Sequence, residues 1–448
     1  MKRTSIAILL TLLVLCIGCN KKEETATTTG GGSINIVWAE WEPATYLQEL
    51  AADFTKETGI EVNVKKIPWG QFQAEVYKTL GAKSDTYDIV IGDSQWLGWG
   101  VSGGHYVDLT DWLKSNGEID AFEPSVVEAY AEYPKGSGKL YSMPTQGDAI
   151  GFAYRKDLFE DPNEMAAFKA KYGRDLAVPD TWQEFRDVAE FFTRPDKGLY
   201  GCALYYGKEY DGVTMGFQQV LWSFGGELYD PETFAVQGVI NSPEAVQALE
   251  FYVSLAKFNP KGYANYYWQE CLQAYQSGSV AMAMDYFAFF PGLTNEASNK
   301  FAKSTGFFMM PGYKNADGTV TRYISLGGQG MSLCAYSKKQ DLCKQFMEWF
   351  AKRETQEKWA QLGGFTCRTD VLESDAFKSA TSFNAVFAAS MPHLRDFWAI
   401  PEYEKLLESC QRNWNAAAVN QIAPKAALDK IAQEHTDILK KAGILKQE

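Results

Sequence analysis

After residue 33 this 448-residue chain has no apolar run approaching 18 residues and no Cys-x-x-Cys pair, and the whole chain contains only three histidines. Each shortage closes a class of function. Without a long apolar run, the body past residue 33 is not expected to cross a bilayer. His105, His393 and His435 lie far apart without metal-ligand spacing, so no metal site is expected. Basic residues are outnumbered, 43 Lys and Arg against 56 Asp and Glu, and they form no cluster. A surface that acidic repels phosphate backbones, which excludes nucleic acid as a partner. There is no Gly-x-Ser-x-Gly elbow, zinc-hydrolase motif or internal repeat, and no cofactor is expected.

The first twenty residues, MKRTSIAILLTLLVLCIGCN, are what the chain does have. Lys2 and Arg3 form a charged start, and Ile6 to Ile17 is almost wholly apolar but too short to span a bilayer comfortably. This predicts a signal peptide over residues 1–18. Gly18-Cys19 resembles the bacterial lipobox, whose cysteine is diacylated and becomes the mature N-terminus. Cys16 replaces the usual leucine three places earlier, and Leu15 stands one position further back. Residues 19–33 are polar and rich in Thr and Gly, with nothing apolar larger than alanine after the cysteine. They read as a flexible tether on a lipid-anchored Cys19. Export follows whether or not the anchor forms.

The remaining residues exceed one ordinary domain and suggest two or three lobes. Composition is globular at 46% hydrophobic, with 13 Trp, 24 Tyr and 27 Phe. Losing Lys2 and Arg3 with the leader takes the net charge from −13 to −15. Cys202, Cys271, Cys334, Cys343, Cys367 and Cys410 sit singly in apolar contexts, and their spacing leaves open whether any pair.

The body opens with a β-rich run, Ile34 to Val37, then a loop from Trp38 to Pro43. Tyr46, Leu47, Leu50, Ala51 and Phe54 recur at helical spacing up to Gly59. A strand from Glu61 to Ile67, a loop Pro68-Trp69-Gly70, a helix from Phe72 to Leu80 and a strand from Tyr87 to Ile91 follow. This β-α-β-α-β order predicts a parallel sheet covered by helices, with ligands at the carboxyl ends of its strands. The loops at those ends carry Trp38, Glu40, Trp41, Trp69, Asp93, Gln95 and Trp96. A second region, about 150–301, holds helix starts at Thr181 and at Ser242-Pro243-Glu244 and a strand from Val280 to Met284. From Asp341 the chain reads as mainly helical.

In this order the elements resemble the extracellular solute-binding proteins of ABC importers, in the carbohydrate-binding group. The resemblance rests on Phe54-Thr55-Lys56-Glu57-Thr58-Gly59, Tyr87-Asp88-Ile89-Val90, Gly104 to Leu109 ahead of Asp111-Trp112-Leu113, Met143-Pro144 and Tyr154-Arg155-Lys156-Asp157-Leu158-Phe159. It continues through Pro179-Asp180-Thr181-Trp182, Gly278-Ser279-Val280-Ala281-Met282, Gly327-Gly328 and Glu354-Thr355-Gln356. It implies an α/β fold of two hinged lobes around a cleft, each discontinuous in sequence. The first lobe is expected from 34–146 and 305–350, the second from 149–302 and 351–448, with crossovers near 145–149, 302–306 and 350. It further implies capture of a sugar or polyol by hinge closure, delivery to the transmembrane subunits of a permease, and no catalysis. The protein is expected to be a monomer at the outer face of the cytoplasmic membrane or in the periplasm.

A sugar needs flat aromatic platforms for its C–H faces, and carboxylates and amides for its hydroxyls. Trp38, Trp41 and Trp69 are the candidate platforms of the first lobe, with Glu40, Asp93 and Gln95 as hydroxyl readers and Trp96 beside them. Both platform and packing roles stand open for Trp38 and Trp69. Asp148 aligns by its distance to Tyr154 with an acidic cleft position of the family. Asp285 and Tyr286 follow the strand that ends at the cleft there, with Phe287 to Phe290 where the family often has a tryptophan. Trp222, Gly328, Gln329 and Arg368 complete the set; Trp222 could equally pack a core, and Arg368 could equally form a surface ion pair. Two competing readings share these residues. Paired carboxylates among tryptophans also describe a glycoside hydrolase, and the fold would equally serve a ligand-sensing or scaffolding lipoprotein.

Overall fold

Ile34, Ile36 and Val37 belong to a strand, β1 (Ser33–Ala39), and helix α1 (Glu42–Thr58) follows at once with Pro43 in its first turn. In this computed structural model, which describes residues 31–446, the helix therefore starts four residues before the predicted Tyr46. Proline fits there because the first-turn N–H groups need no helical partner. Strand β2 (Glu61–Ile67) pairs parallel with β1, and β3 (Ile89–Asp93) lies parallel on its other side, as the β-α-β-α-β pattern requires. Helix α2 (Trp69–Gly81) takes in Trp69 and Gly70, which the sequence suggested as loop. Signal peptide, Cys19 and most of the tether lie outside the described residues.

One long strand joins the lobes. Strand β4 (Met143–Arg155) is buried almost throughout, and its two ends belong to different lobes. Met143 to Ala149 pair antiparallel with β10 (Ile324–Leu333), which itself pairs with β3. Ile150 to Arg155 pair with β6 (Val280–Tyr286) and β7 (Thr305–Met309), and β6 continues the sheet to β5 (Tyr200–Ala203). The strand order is β2-β1-β3-β10-β4-β6-β5, with β7 joined to β4 at one side.

The expected boundaries move in two places. Thr305–Met309 stays with the second lobe, held by its ladder to Gly151–Arg155, so the chain returns to the first lobe only along β10 and not at 302–306. Nor does the late crossover fall at Phe350. Helix Arg353–Leu362 still packs on the first lobe, where Trp359 stacks on Trp38 and Lys358 pairs with Asp53 at 2.5 Å. The next change of lobe lies beyond Phe365, whose backbone exchanges hydrogen bonds with Gln146 and Gly147. Helix Tyr403–Ala418 then packs on Gly212–Ser223 through Trp414 and Phe217.

The expected helix starts are present. Thr181 caps helix Trp182–Phe192 in a reciprocal box with Glu184, and the Ser242 hydroxyl accepts from the Ala245 N–H. All six cysteines from Cys202 to Cys410 are buried free thiols. Among the described residues no helix is long and apolar enough to cross a membrane.

Candidate functional site

Where β4 and β10 cross, side chains would collide. Gly328 has φ +88°, and a Cβ there would stand 2.2 Å from the Gln146 carbonyl oxygen. Glycine meets both demands, a left-handed backbone and a close approach. The crossing floors a cavity of about 920 Å³ between the lobes. Asp148, Gly327, Gly328 and Gln329 form its base.

The first-lobe wall comes from the strand ends, as ligand sites in such sheets do. Glu40 and Trp41 follow β1, Trp69 opens α2, and Asp93 ends β3 with Gln95 and Trp96 in the turn after it. Trp38, Trp41 and Trp69 form a chain of edge-to-face indoles, with centroids 5.5 and 5.4 Å apart. It runs from the core to solvent: Trp38 is 0% exposed and Trp69 38%.

The second-lobe wall was largely invisible in the sequence. It consists of Tyr210 and Asp211 ahead of helix Gly212–Ser223, Tyr267 and Trp268 at the start of helix Trp268–Ser277, Tyr286 at the end of β6, and Phe289. Trp268 stacks on Phe289 at 4.4 Å. The only sign of Phe289 was the aromatic run after Tyr286. Asp211 and Trp268 gave no signal, because their loops have no motif and reach the cleft only through the fold.

Ten of the fourteen suggested site residues therefore line one cavity: Glu40, Trp41, Trp69, Asp93, Gln95, Trp96, Asp148, Tyr286, Gly328 and Gln329. Four stand elsewhere. Trp38 is core, with its Nε1 donating to Gln329 Oε1 at 3.4 Å, so it supports the wall from behind. Asp285 lies beneath Tyr286, taking the Tyr205 hydroxyl at 2.6 Å and the Tyr286 N–H at 2.9 Å. Trp222 is buried in its helix with the Arg395 guanidinium 4.8 Å over its ring. Arg368 is held by Glu118, by Asp370 at 2.9 Å and by the Ala351 carbonyl at 2.6 Å. Packing, the alternative named for Trp222, is where the structure puts it; Arg368 is ion-paired, but buried and not at the surface as expected.

The carboxyl groups of the cleft are bonded mainly to neutral donors. Asp93 accepts from Gln329 Nε2 at 2.7 Å and from the Tyr210 hydroxyl. Asp211 accepts from the Tyr267 hydroxyl and, at 3.3 Å, from that of Tyr286. Asp148 accepts from the N–H groups of Ala149 at 2.8 Å and Ala288 at 3.3 Å. Burial outweighs these bonds and disfavours the charged forms. It lifts Asp148 to about 8 and Asp211 to about 7, raises Asp93, and raises Asp285 well above its usual range. Lys66, bonded to the Thr45 hydroxyl at 3.0 Å, is the one basic side chain of the lining among the described residues. Such a cavity suits an uncharged solute with many hydroxyls and some apolar face, and disfavours an anion.

A two-lobed sheet crossed by two strands, with an aromatic and polar cleft at the crossing, defines a hinged solute-binding protein. The chain belongs to the bacterial extracellular solute-binding protein family, whose profile matches residues 38–357. It is 25% identical over 376 residues to a mannitol-binding protein of Pseudomonas aeruginosa, covering 79% of this chain and 80% of that one. Among solved structures it resembles an ABC transporter solute-binding protein of Agrobacterium radiobacter K84 in complex with ribitol. That match has TM-score 0.75 and 25% identity, covering 91% of this chain and 98% of the other. A solute-binding protein of Agrobacterium vitis S4 with bound D-mannitol shares the fold, at TM-score 0.72 and 23% identity over 92% and 99% of the two chains.

Proposed function

We propose that the cleft captures a neutral polyol or small carbohydrate and that the protein delivers it to the transmembrane subunits of an ABC importer. A lipid on Cys19 would keep it within reach of the permease. The observation that carries this reading is the convergence of two aromatic walls and a set of hydroxyl and carboxyl groups on one cavity of about 920 Å³. The relatives named for mannitol and ribitol support the same ligand class.

Binding rather than hydrolysis suits Asp93 and Asp211. Hydrolysis of a glycosidic bond needs one carboxyl free to protonate the leaving group and another free to attack or to activate water. Both oxygens of Asp93 and of Asp211 are already taken by protein donors. A ligand instead meets tyrosine hydroxyls, the Gln95 and Gln329 amides and Glu40. Each unpaired buried contact costs roughly 1–3 kcal/mol, which is how the site would reject an epimer.

A thermal-shift screen of the protein without leader and tether tests the proposal, using polyols, hexoses, disaccharides and charged solutes. A saturating rise in melting temperature with a polyol or neutral sugar supports it, because a ligand that prefers the native state stabilises it by mass action. A response confined to charged solutes refutes it.

A further inference from the structure

The loop of residues 204–211, between β5 and helix Gly212–Ser223, is firmly held at its base and exposed at its tip. At the base, the Tyr206 hydroxyl donates to the Tyr252 carbonyl at 2.8 Å, and the Tyr206 carbonyl accepts from Asn415 Nδ2 at 2.7 Å. The Gly207 N–H bonds to the Tyr266 carbonyl and its own carbonyl accepts from Val213, each at 2.8 Å. At the tip, Tyr210 has φ +43°, a left-handed conformation that bulky side chains rarely adopt and that clusters at ligand clamps. Asp211, next to it, is gripped by the hydroxyls of Tyr267 and Tyr286. The left-handed tyrosine reaches out of the second lobe, and its hydroxyl donates to Asp93 at the end of β3 in the first.

We propose that Tyr210 is a clasp: its hydroxyl, donated across the cleft to Asp93, draws the lobes together before ligand arrives and so couples closure to capture. Asp93 is divided between the parts that move. One oxygen takes Gln329 on the crossing strand and the other takes Tyr210 from the opposite lobe, so opening strips a half-buried carboxyl group of one of its two donors. The Tyr210 ring is 39% exposed, so its contribution is the hydroxyl more than the burial of its face. A second crossing point, Gln73 of α2 donating to the Tyr403 hydroxyl, means that loss of the clasp opens the protein in part and does not abolish closure. Asp93 becomes a closure residue first and a reader of ligand hydroxyls second.

The clasp rests on the reading of the cleft as a hinged trap, but not on which solute fills it. The test therefore uses ligand-free protein: single-molecule FRET with one dye on each lobe, on wild type, Tyr210→Phe, Asp93→Ala and the double variant. The expected result is a closed-to-open ratio about tenfold lower in Tyr210→Phe, the size a hydrogen bond to a charged group carries. Asp93→Ala should reproduce the loss, and the double variant should go no further than Asp93→Ala alone. An unchanged ratio in Tyr210→Phe, or additive losses in the double variant, overturns the clasp. A clasp seen in a protein that answers no polyol or sugar would leave this inference standing and remove the ligand assignment.

Discussion

The two walls of the cleft are built on different physics. The first-lobe wall is a chain of indoles graded from core to solvent, Trp38, Trp41 and Trp69, backed by Trp359. The second-lobe wall is a net of phenol–carboxyl bonds, Tyr267 and Tyr286 to Asp211, backed by the Tyr205–Asp285 bond beneath it and faced by the Trp268–Phe289 stack. Burial and ring packing fix the indoles of the first wall, with one long hydrogen bond from Trp38 to Gln329, so they offer a platform tolerant of ligand shape. The second is fixed by hydrogen bonds with defined geometry, so it orients hydroxyls. Selectivity among similar solutes should therefore lie mainly with the second lobe.

Breaking the first wall at its root gives the largest effect. Trp38→Ala removes a fully buried indole stacked on Trp359 and should lower the unfolding free energy by about 3–5 kcal/mol in urea titration. Gly328→Ala strikes the hinge that both walls share, forcing a Cβ against the Gln146 carbonyl at φ +88°. Its expected cost is about 1–3 kcal/mol on the same assay. Trp268→Ala strips the stack from the second wall. It should weaken affinity for the best ligand about tenfold by calorimetry, with a smaller loss of stability than Trp38→Ala.

The phenol–carboxyl wall also predicts a pH effect. Asp211 titrates at about 7 and Asp148 at about 8 when folded, against about 3.9 in an unfolded chain. Folding takes up protons between those values, so their contribution to stability is fully present below about pH 4 and is lost as pH rises through 7 to 8. The ligand-free melting temperature should fall by a few degrees from pH 5 to pH 8, and Asp211→Asn should flatten part of the slope. The smallest effect belongs to Trp69, at the exposed end of the first wall. Trp69→Ala should change stability by no more than about 0.5 kcal/mol while still weakening ligand binding.

The same contrast explains what the sequence revealed. The first-lobe wall sits at the carboxyl ends of consecutive strands, so periodicity alone located Glu40, Trp41, Trp69, Asp93 and Gln95 near one another. It could not tell Trp38, inside the strand and buried, from its neighbours in the loop. The second-lobe wall is assembled from three separate segments, Tyr210-Asp211, Tyr267-Trp268 and Tyr286, with no local pattern to join them. The late crossovers were misplaced for a related reason. Strand β7 and helix Arg353–Leu362 are assigned to a lobe by their long-range partners, Gly151–Arg155 and Trp38, and not by anything in their own residues.

The most direct measurement is isothermal titration of the leaderless protein with mannitol, ribitol, hexoses and disaccharides, alongside charged solutes of similar size. The account predicts one saturable site of 1:1 stoichiometry for a neutral polyol or sugar, weakened by Trp268→Ala. Binding of only charged solutes, or binding of a neutral sugar that Trp268→Ala leaves untouched, would contradict it.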